Sequence, residues 1–175
     1  MLSSSLKNSR FQLSIAVLLG ATVLVAAGCS GDGASPTEPA SAEFTLTSAQ
    51  VIVGSQSVNG QILPEGHGEG ESTRFEAHLM APDSQAAGAT VWMEFDRPRG
   101  MGMGHHVGRI QLYDDGTHGD AVAGDGVYCF EDVVGDYGCH GGDAGPGEYH
   151  YEFFAEHRDG HETNHMLVTV TITDS

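Results

Sequence analysis

Several short stretches of the chain carry residue types whose spacing could do chemistry. The loudest is "DGHETNH", Asp159 to His165, which contains H-E-x-x-H. In zinc hydrolases that pattern puts two His ligands, His161 and His165 here, on one helical turn with their Cβ atoms about 5–6 Å apart, and the Glu, here Glu162, acts as base. The surroundings argue against a helix. Asp159-Gly160 favours a tight hairpin turn, and the residues that follow run directly into "HMLVTVTITD". In an extended segment His161 and His165 lie roughly 13 Å apart, with Glu162 on the opposite face. No His, Cys or Glu follows His165 to complete a site. The segment therefore reads as the return arm of a β-hairpin. With no G-x-S-x-G elbow and no G-x-x-x-x-G-K loop either, a non-catalytic protein is expected.

The second stretch is "LYDDGTHGDAVAGDGVY", Leu112 to Tyr128. Its glycines permit positive backbone dihedrals, and its Asp side chains accept hydrogen bonds from nearby amides, so D-G and G-D pairs can stack several tight turns between two strands. Alternatively, Asp114, Asp115, Asp120 and Asp125 turn inward and chelate Ca2+, a hard cation that takes six to eight oxygens at about 2.3–2.6 Å. The loop is not an EF-hand, because the positions two and four residues after Asp115 are Thr117 and Gly119. Two His-bearing tracts follow in interest. "RGMGMGHHVG" supplies Met101, Met103, His105 and His106, thioethers and imidazoles suited to copper or zinc, although Arg97, Arg99 and Arg109 flank it. "EGHGEGE" sets His67 among Glu65, Glu69 and Glu71 and reads as an acidic, Gly-rich connection.

The N-terminus bears on where this chemistry would operate. Lys7 and Arg10 precede an apolar run from Leu13 to Ala27, too short for a membrane span of about 20 residues and the right length for a signal-peptide core. The following "VAAGCSGDG" resembles the lipobox of bacterial lipoproteins, with Ala26 where Leu is commoner. That resemblance implies cleavage after residue 28, lipidation of Cys29, and a protein anchored to a membrane of the cell envelope, on the outer membrane or a periplasmic face. Residues 29–43 are rich in Ser, Gly, Pro and Ala and read as a flexible tether, leaving 44–175 as the folded domain. Removing residues 1–28 leaves five basic residues against 24 acidic ones, a net charge of −19 with no lysine. So acidic a surface excludes nucleic acid as a partner and favours divalent cations.

The elements that must position these residues are strands. Period-two alternation places Phe75, Ala77 and Leu79 on one face of "RFEAHLMAP", and Val91, Met93 and Phe95 on one face of "ATVWMEFDRP" opposite Trp92 and Glu94. "HVGRIQLYDD" reads as a strand running into the Asp-rich turn. In "GEYHYEFFAEHRDG", Tyr149, Tyr151, Phe153 and Ala155 point inward, and in the last segment Val168, Val170 and Ile172 alternate with Leu167, Thr169, Thr171 and Thr173. No helical stripe is visible. Short strands without helices to cover a sheet predict an all-β, antiparallel immunoglobulin-like or fibronectin type III-like sandwich of about seven strands, with a jelly roll or small barrel as the alternative.

Asp114, Asp115, Gly116, Gly119, Asp120, Ala123, Asp125, Gly126 and Tyr128 match a D-D-G-x-x-G-D-x-x-A-x-D-G-x-Y signature. The stretch resembles immunoglobulin-like domains of bacterial extracellular proteins and, in variant form, calcium-activated chloride channel regulator proteins. Gly147, Tyr149, Ala155 and Gly160 are similar to the strand and hairpin that follow in such domains. The resemblance covers Val107 to about His161 and implies a binding, adhesion or spacer module whose partner is a protein or a glycan. Cys129 departs from the Ser or Thr found there. Outside the cytoplasm Cys129 and Cys139 are expected to form a disulfide, with a soft-metal site of these two and His140 as the alternative. The expected function is a non-catalytic, lipid-anchored module stabilised by calcium. The alternative is a periplasmic copper or zinc binder that uses its Met/His tract.

Overall fold

The computed structural model describes residues 43–99, 104–133, 136–139 and 144–174. The expected signal segment, Cys29 and the tether up to residue 42 lie outside them, as do Met101, Met103 and His140. Two sheets face each other. The first runs in the order β2 (Gln56–Ser57), β1 (Thr45–Val53), β4 (Thr73–Met80), β7 (Val127–Asp132). The second runs β3 (Ile62–Pro64), β9 (Met166–Thr173), β8 (Gly147–His157), β5 (Ala89–Pro98), β6 (His105–Leu112). A single turn of helix, α1 (Asp83–Ala86), connects β4 to β5.

Alternation in sequence becomes the core directly. Tyr149, Tyr151, Phe153 and Ala155 of β8 are fully buried, as are Val91 and Met93 of β5 and Phe75 and Ala77 of β4. The two layers meet where the rings of Phe75 and Tyr151 approach to 5.2 Å between centroids. Each fully buried side chain of this size contributes about 1.5–3 kcal/mol of transfer free energy. The Tyr149 hydroxyl donates to the Gly145 carbonyl at 2.6 Å and accepts from the Gly145 amide at 3.0 Å, which gives this buried polar tip both partners. A tyrosine at the start of a strand bonding back to the chain just upstream is the tyrosine corner of immunoglobulin-like sandwiches.

The all-β, immunoglobulin-like sandwich expected from the alternation is therefore the fold, with two differences in detail. Nine strands are present among the described residues; the two beyond the expected seven, β2 and β3, are pieces of two and three residues at sheet edges. β3 pairs with β9 in parallel, so the second sheet is mixed. β1 had no sequence signature because its alternation breaks. The register shifts between Leu46 and Ser48, so Leu46 and Ala49, three residues apart, both face the core. Two side-chain amides complete that strand: Asn164 bonds the Leu46 amide and carbonyl, and Asn59 bonds the Val51 amide and the Ala49 carbonyl.

Candidate functional site

The Asp-rich segment links the end of β6 to the start of β7 and thereby crosses from one sheet to the other. Tyr113 and Cys129 exchange both backbone hydrogen bonds, at 2.9 and 2.8 Å, and close the base of the loop. Above that base every aspartate is held by backbone amides. Asp114 Oδ1 accepts from Gly124 (2.5 Å) and Asp125 (3.2 Å), and its Oδ2 from Gly126 (2.9 Å). Asp120 accepts from Gly116 (2.7 Å) and Val122 (3.1 Å), and Asp125 from Val127 (2.9 Å). Gly119, at φ +88°, is required twice over. That dihedral strains any other residue, and an added Cβ would sit 2.9 Å from Cβ of Glu131, because the loop lies against the outer face of β4 and β7. His118 also takes a positive φ of 55° and stacks on Tyr113 at 4.1 Å, a conformation uncommon outside glycine.

Three of the four aspartates singled out by the sequence come together. Asp114, Asp120 and Asp125 each present a carboxylate oxygen, and these oxygens lie within 4.8 Å of one another. Two ligands of one calcium ion, each at about 2.3–2.6 Å, are at most about 5 Å apart, so the spacing fits a common ion. Held apart from any cation, each pair of charges at this separation repels by about 1 to 3 kcal/mol, depending on the effective dielectric. The amide dipoles that hold the carboxylates offset part of that repulsion. Asp120 is the most enclosed of the three, at 8% exposure. Asp115 does not join them. It is exposed, and its Oδ1 accepts from the Thr117 hydroxyl (2.5 Å) and amide (2.9 Å); the hydroxyl hydrogen bond is the main reason its carboxyl lies below the usual range.

The other motifs resolve differently. H-E-x-x-H is not helical: β8 turns at residues 158–160 and returns antiparallel as β9, with Glu162 bridged to Glu156 across the hairpin. Glu162 was expected to point away from the histidines, yet its carboxylate lies 3.5 Å from His165 Nε2. Residues 163–165 are not a regular strand. The buried Thr163 turns its hydroxyl to accept from the Ala155 amide at 2.9 Å, and Asn164 turns to β1, which rotates the following residue. His165 itself stacks on Phe154 at 4.6 Å and meets Glu152 at 3.0 Å. His105 and His106, adjacent on β6, diverge. His105 is exposed on Asp96 at 2.6 Å, while His106 packs edge-on against the buried Phe95 at 5.1 Å, so the strand cannot aim both imidazoles at one ion. His67 lies in a succession of turns in which the amides of residues 67, 69 and 71 bond the carbonyls three residues earlier.

The expected Cys129–Cys139 disulfide is not formed, and the sheet explains why. Cys129 is paired with Glu76 on the outer face of β4 and β7, its Sγ 4.0 Å from Glu76 Oε2, whereas Cys139 belongs to the core between the sheets. Both are buried free thiols. Burial is the main cause that pushes the Cys129 thiol up to about 12 and the Cys139 thiol to about 11, and their places on opposite sides of the first sheet keep the two sulfurs from sharing one ion. Asp132 went unrecognised in the sequence. Buried at the end of β7, its carboxylate accepts from the amides of Asp136 (3.2 Å), Tyr137 (2.7 Å) and Gly138 (3.1 Å) and organises the segment that brings Cys139 inward. Its signal, an Asp followed four to six residues later by a Gly-containing turn, does not stand out in a chain with so many Asp-Gly pairs. The buried Arg97, which donates to the Asp136 carbonyl, holds the same segment from β5.

No protein-family model matches the sequence, and no curated protein matches it. Among solved structures the chain is similar to AggA, the major subunit of aggregative adherence fimbriae type I from Escherichia coli. The identity is 12% and the TM-score 0.30, over 77% of this chain and 97% of that one. Among the described residues no helix is long and apolar enough to cross a membrane.

Proposed function

We propose that the protein is a non-catalytic binding, adhesion or spacer module of the cell envelope, anchored through a lipid on Cys29 and stabilised by a calcium ion held by Asp114, Asp120 and Asp125. The observation that carries the calcium reading is the convergence of those three carboxylates at calcium-ligand spacing, each already oriented by backbone amides. The ion would tie the two ends of the loop, at Asp114 and Asp125, to its middle at Asp120. It would thereby fix the crossing from the second sheet to the first. Backbone carbonyls and water would supply the remaining oxygens of a six- to eight-coordinate ion. The anchoring half of the reading rests on the charged flank, apolar core and small residues that precede Cys29.

Isothermal titration of the purified, chelator-treated protein with CaCl2 tests the calcium half. One site per chain is expected, lost in Asp120→Asn, with MgCl2 binding far more weakly because its octahedral geometry tolerates little distortion. An absence of saturable calcium binding refutes it. For the anchor, cells grown with a labelled fatty acid should label the wild-type protein and leave Cys29→Ser unlabelled. Equal labelling of both refutes the lipidation.

A further inference from the structure

The outer face of the second sheet departs from the polar surface expected where a sandwich meets water. The register places Arg109, Glu94, Glu152 and Leu167 in one row across β6, β5, β8 and β9, and Val107, Asp96, His150 and Thr169 in the next. Val107 on β6 and Leu167 on β9 stand 66% and 64% exposed, among the most exposed large apolar side chains described. Between these two ridges, which three interstrand steps set about 14 Å apart, runs an open groove of about 580 Å3 whose floor carries Glu94, Asp96 and Glu152.

The charges in the groove are unbalanced. Glu94 lies 3.7 Å from Arg109, whose guanidinium is shared with Glu156 at 3.6 Å. Among the described residues Asp96 meets the His105 imidazole and Glu152 the His165 imidazole, so three carboxylates of the groove share a single guanidinium. That guanidinium also argues against a sugar-stacking surface: it sits 4.2 Å over Trp92 and 4.8 Å over Phe154, and His165 stacks on Phe154 as well, so both rings are already engaged. Anionic lipid, nucleic acid and a second copy of this acidic chain are all disfavoured by like charge.

We propose that this groove docks an extended, basic peptide segment of another protein. On the side it turns to the sheet, apolar side chains four residues apart, about 14 Å, would rest on Val107 and Leu167, and a Lys or Arg side chain midway between them would pair with Glu94, Asp96 and Glu152. The segment need not add a strand to the sheet, since its backbone lies across the face instead of along an edge. This reading rests on the module binding a protein, but it involves neither Asp114 nor the lipid, so it stands or falls apart from them.

The probe is a fluorescent ten-residue peptide that repeats Val-Ser-Lys-Ser, which puts Val and Lys on one face when extended, titrated into the purified protein in EDTA at physiological salt, with the same peptide carrying Glu for Lys as control. The wild type is expected to bind the basic peptide and not the acidic one. Glu94→Gln with Glu152→Gln should weaken binding about tenfold, or 1.4 kcal/mol. Leu167→Ser should weaken it severalfold, while Asp83→Asn, which removes one negative charge from the distant helix α1, leaves it unchanged. Attraction to the overall negative charge alone would be indifferent to Leu167→Ser and sensitive to Asp83→Asn, and that pattern overturns the proposal, as does an absence of binding. Carbodiimide cross-linking of the peptide to the wild-type protein locates the binding surface without a variant. Links to Glu94, Asp96 or Glu152 support the groove, and links confined to carboxylates elsewhere reject it.

Discussion

Replacing Asp114 separates the two roles that one carboxylate would play. Asp114→Ala leaves the amides of Gly124, Asp125 and Gly126 without their acceptor. A hydrogen bond to a charged group contributes about 1.5–3 kcal/mol, but water replaces it readily at the exposed Gly124 and Asp125. Only the partly buried Gly126 amide counts in full, so a loss of about 2–3 kcal/mol relative to the wild type is expected in EDTA, where calcium contributes nothing. Asp114→Asn keeps an acceptor oxygen and should cost about 1 kcal/mol, the size of a neutral hydrogen bond. The calcium contribution is separate. Extracellular modules bind with dissociation constants of about 10⁻⁴–10⁻³ M, so about 10 mM CaCl2 is roughly 10 to 100 times that constant. Mass action then stabilises the folded state by about 1.4–2.7 kcal/mol. At roughly 3–5 °C per kcal/mol for a domain of this size, Tm rises by about 4–14 °C. Scanning calorimetry in EDTA and in CaCl2 should show that rise in the wild type and lose it in both variants, with Asp114→Asn melting nearly as the wild type does in EDTA. A wild type indifferent to calcium, or an Asp114→Asn protein that keeps the whole increment, refutes the reasoning.

Other expectations follow from packing and charge. Gly108→Ala should lower the urea midpoint by an amount corresponding to about 1–3 kcal/mol without changing the m-value, because an added Cβ meets Phe95 Cζ at 2.6 Å in the core; an unchanged midpoint means the ring has room to move. Glu76 offers a pH test. Burial pushes its carboxyl up, but the Gln50 and His78 hydrogen bonds and the Arg74 charge outweigh that and leave it below 4.5. A carboxyl depressed on folding stabilises fully above its unfolded value and loses that contribution as pH falls through its folded value, so urea midpoints should drop below about pH 4.5. Glu76→Gln should flatten part of that drop, and identical acid profiles for the two proteins contradict the assignment. Cys129 and Cys139 should alkylate slowly at about pH 8 in the native protein and quickly in denaturant, given buried thiols pushed up to about 12 and 11. Rapid native labelling, or a disulfide between them found by mass spectrometry, opposes the placement of the two on different sides of the sheet.

Legibility in the sequence followed how local the cause was. The inward faces of β4, β5, β8 and β9 were readable because alternation with period two survives in each, from Phe75 to Ile172. β1 was not, since the register shift after Leu46 shifts the phase of burial and one of its amide partners, Asn164, comes from a distant segment. The hairpin around Asp159-Gly160 was correctly separated from a zinc helix on turn chemistry alone, while the inward pull of Thr163 that brings Glu162 to His165 depends on a contact with Ala155 across the hairpin.

From its sequence alone this chain determined that it would be a strand-built, acidic sandwich with amide-held aspartates in a Gly-rich loop, because side-chain alternation, turn preference and net charge are properties of neighbouring residues. Tertiary structure alone decided which aspartates converge, excluding Asp115 and gathering Asp114, Asp120 and Asp125. It also decided that Cys129 and Cys139 stay apart and that Val107 and Leu167 flank one groove. Those outcomes depend on which strands become neighbours and which face each presents, and residues distant in the chain carry no local mark of that pairing.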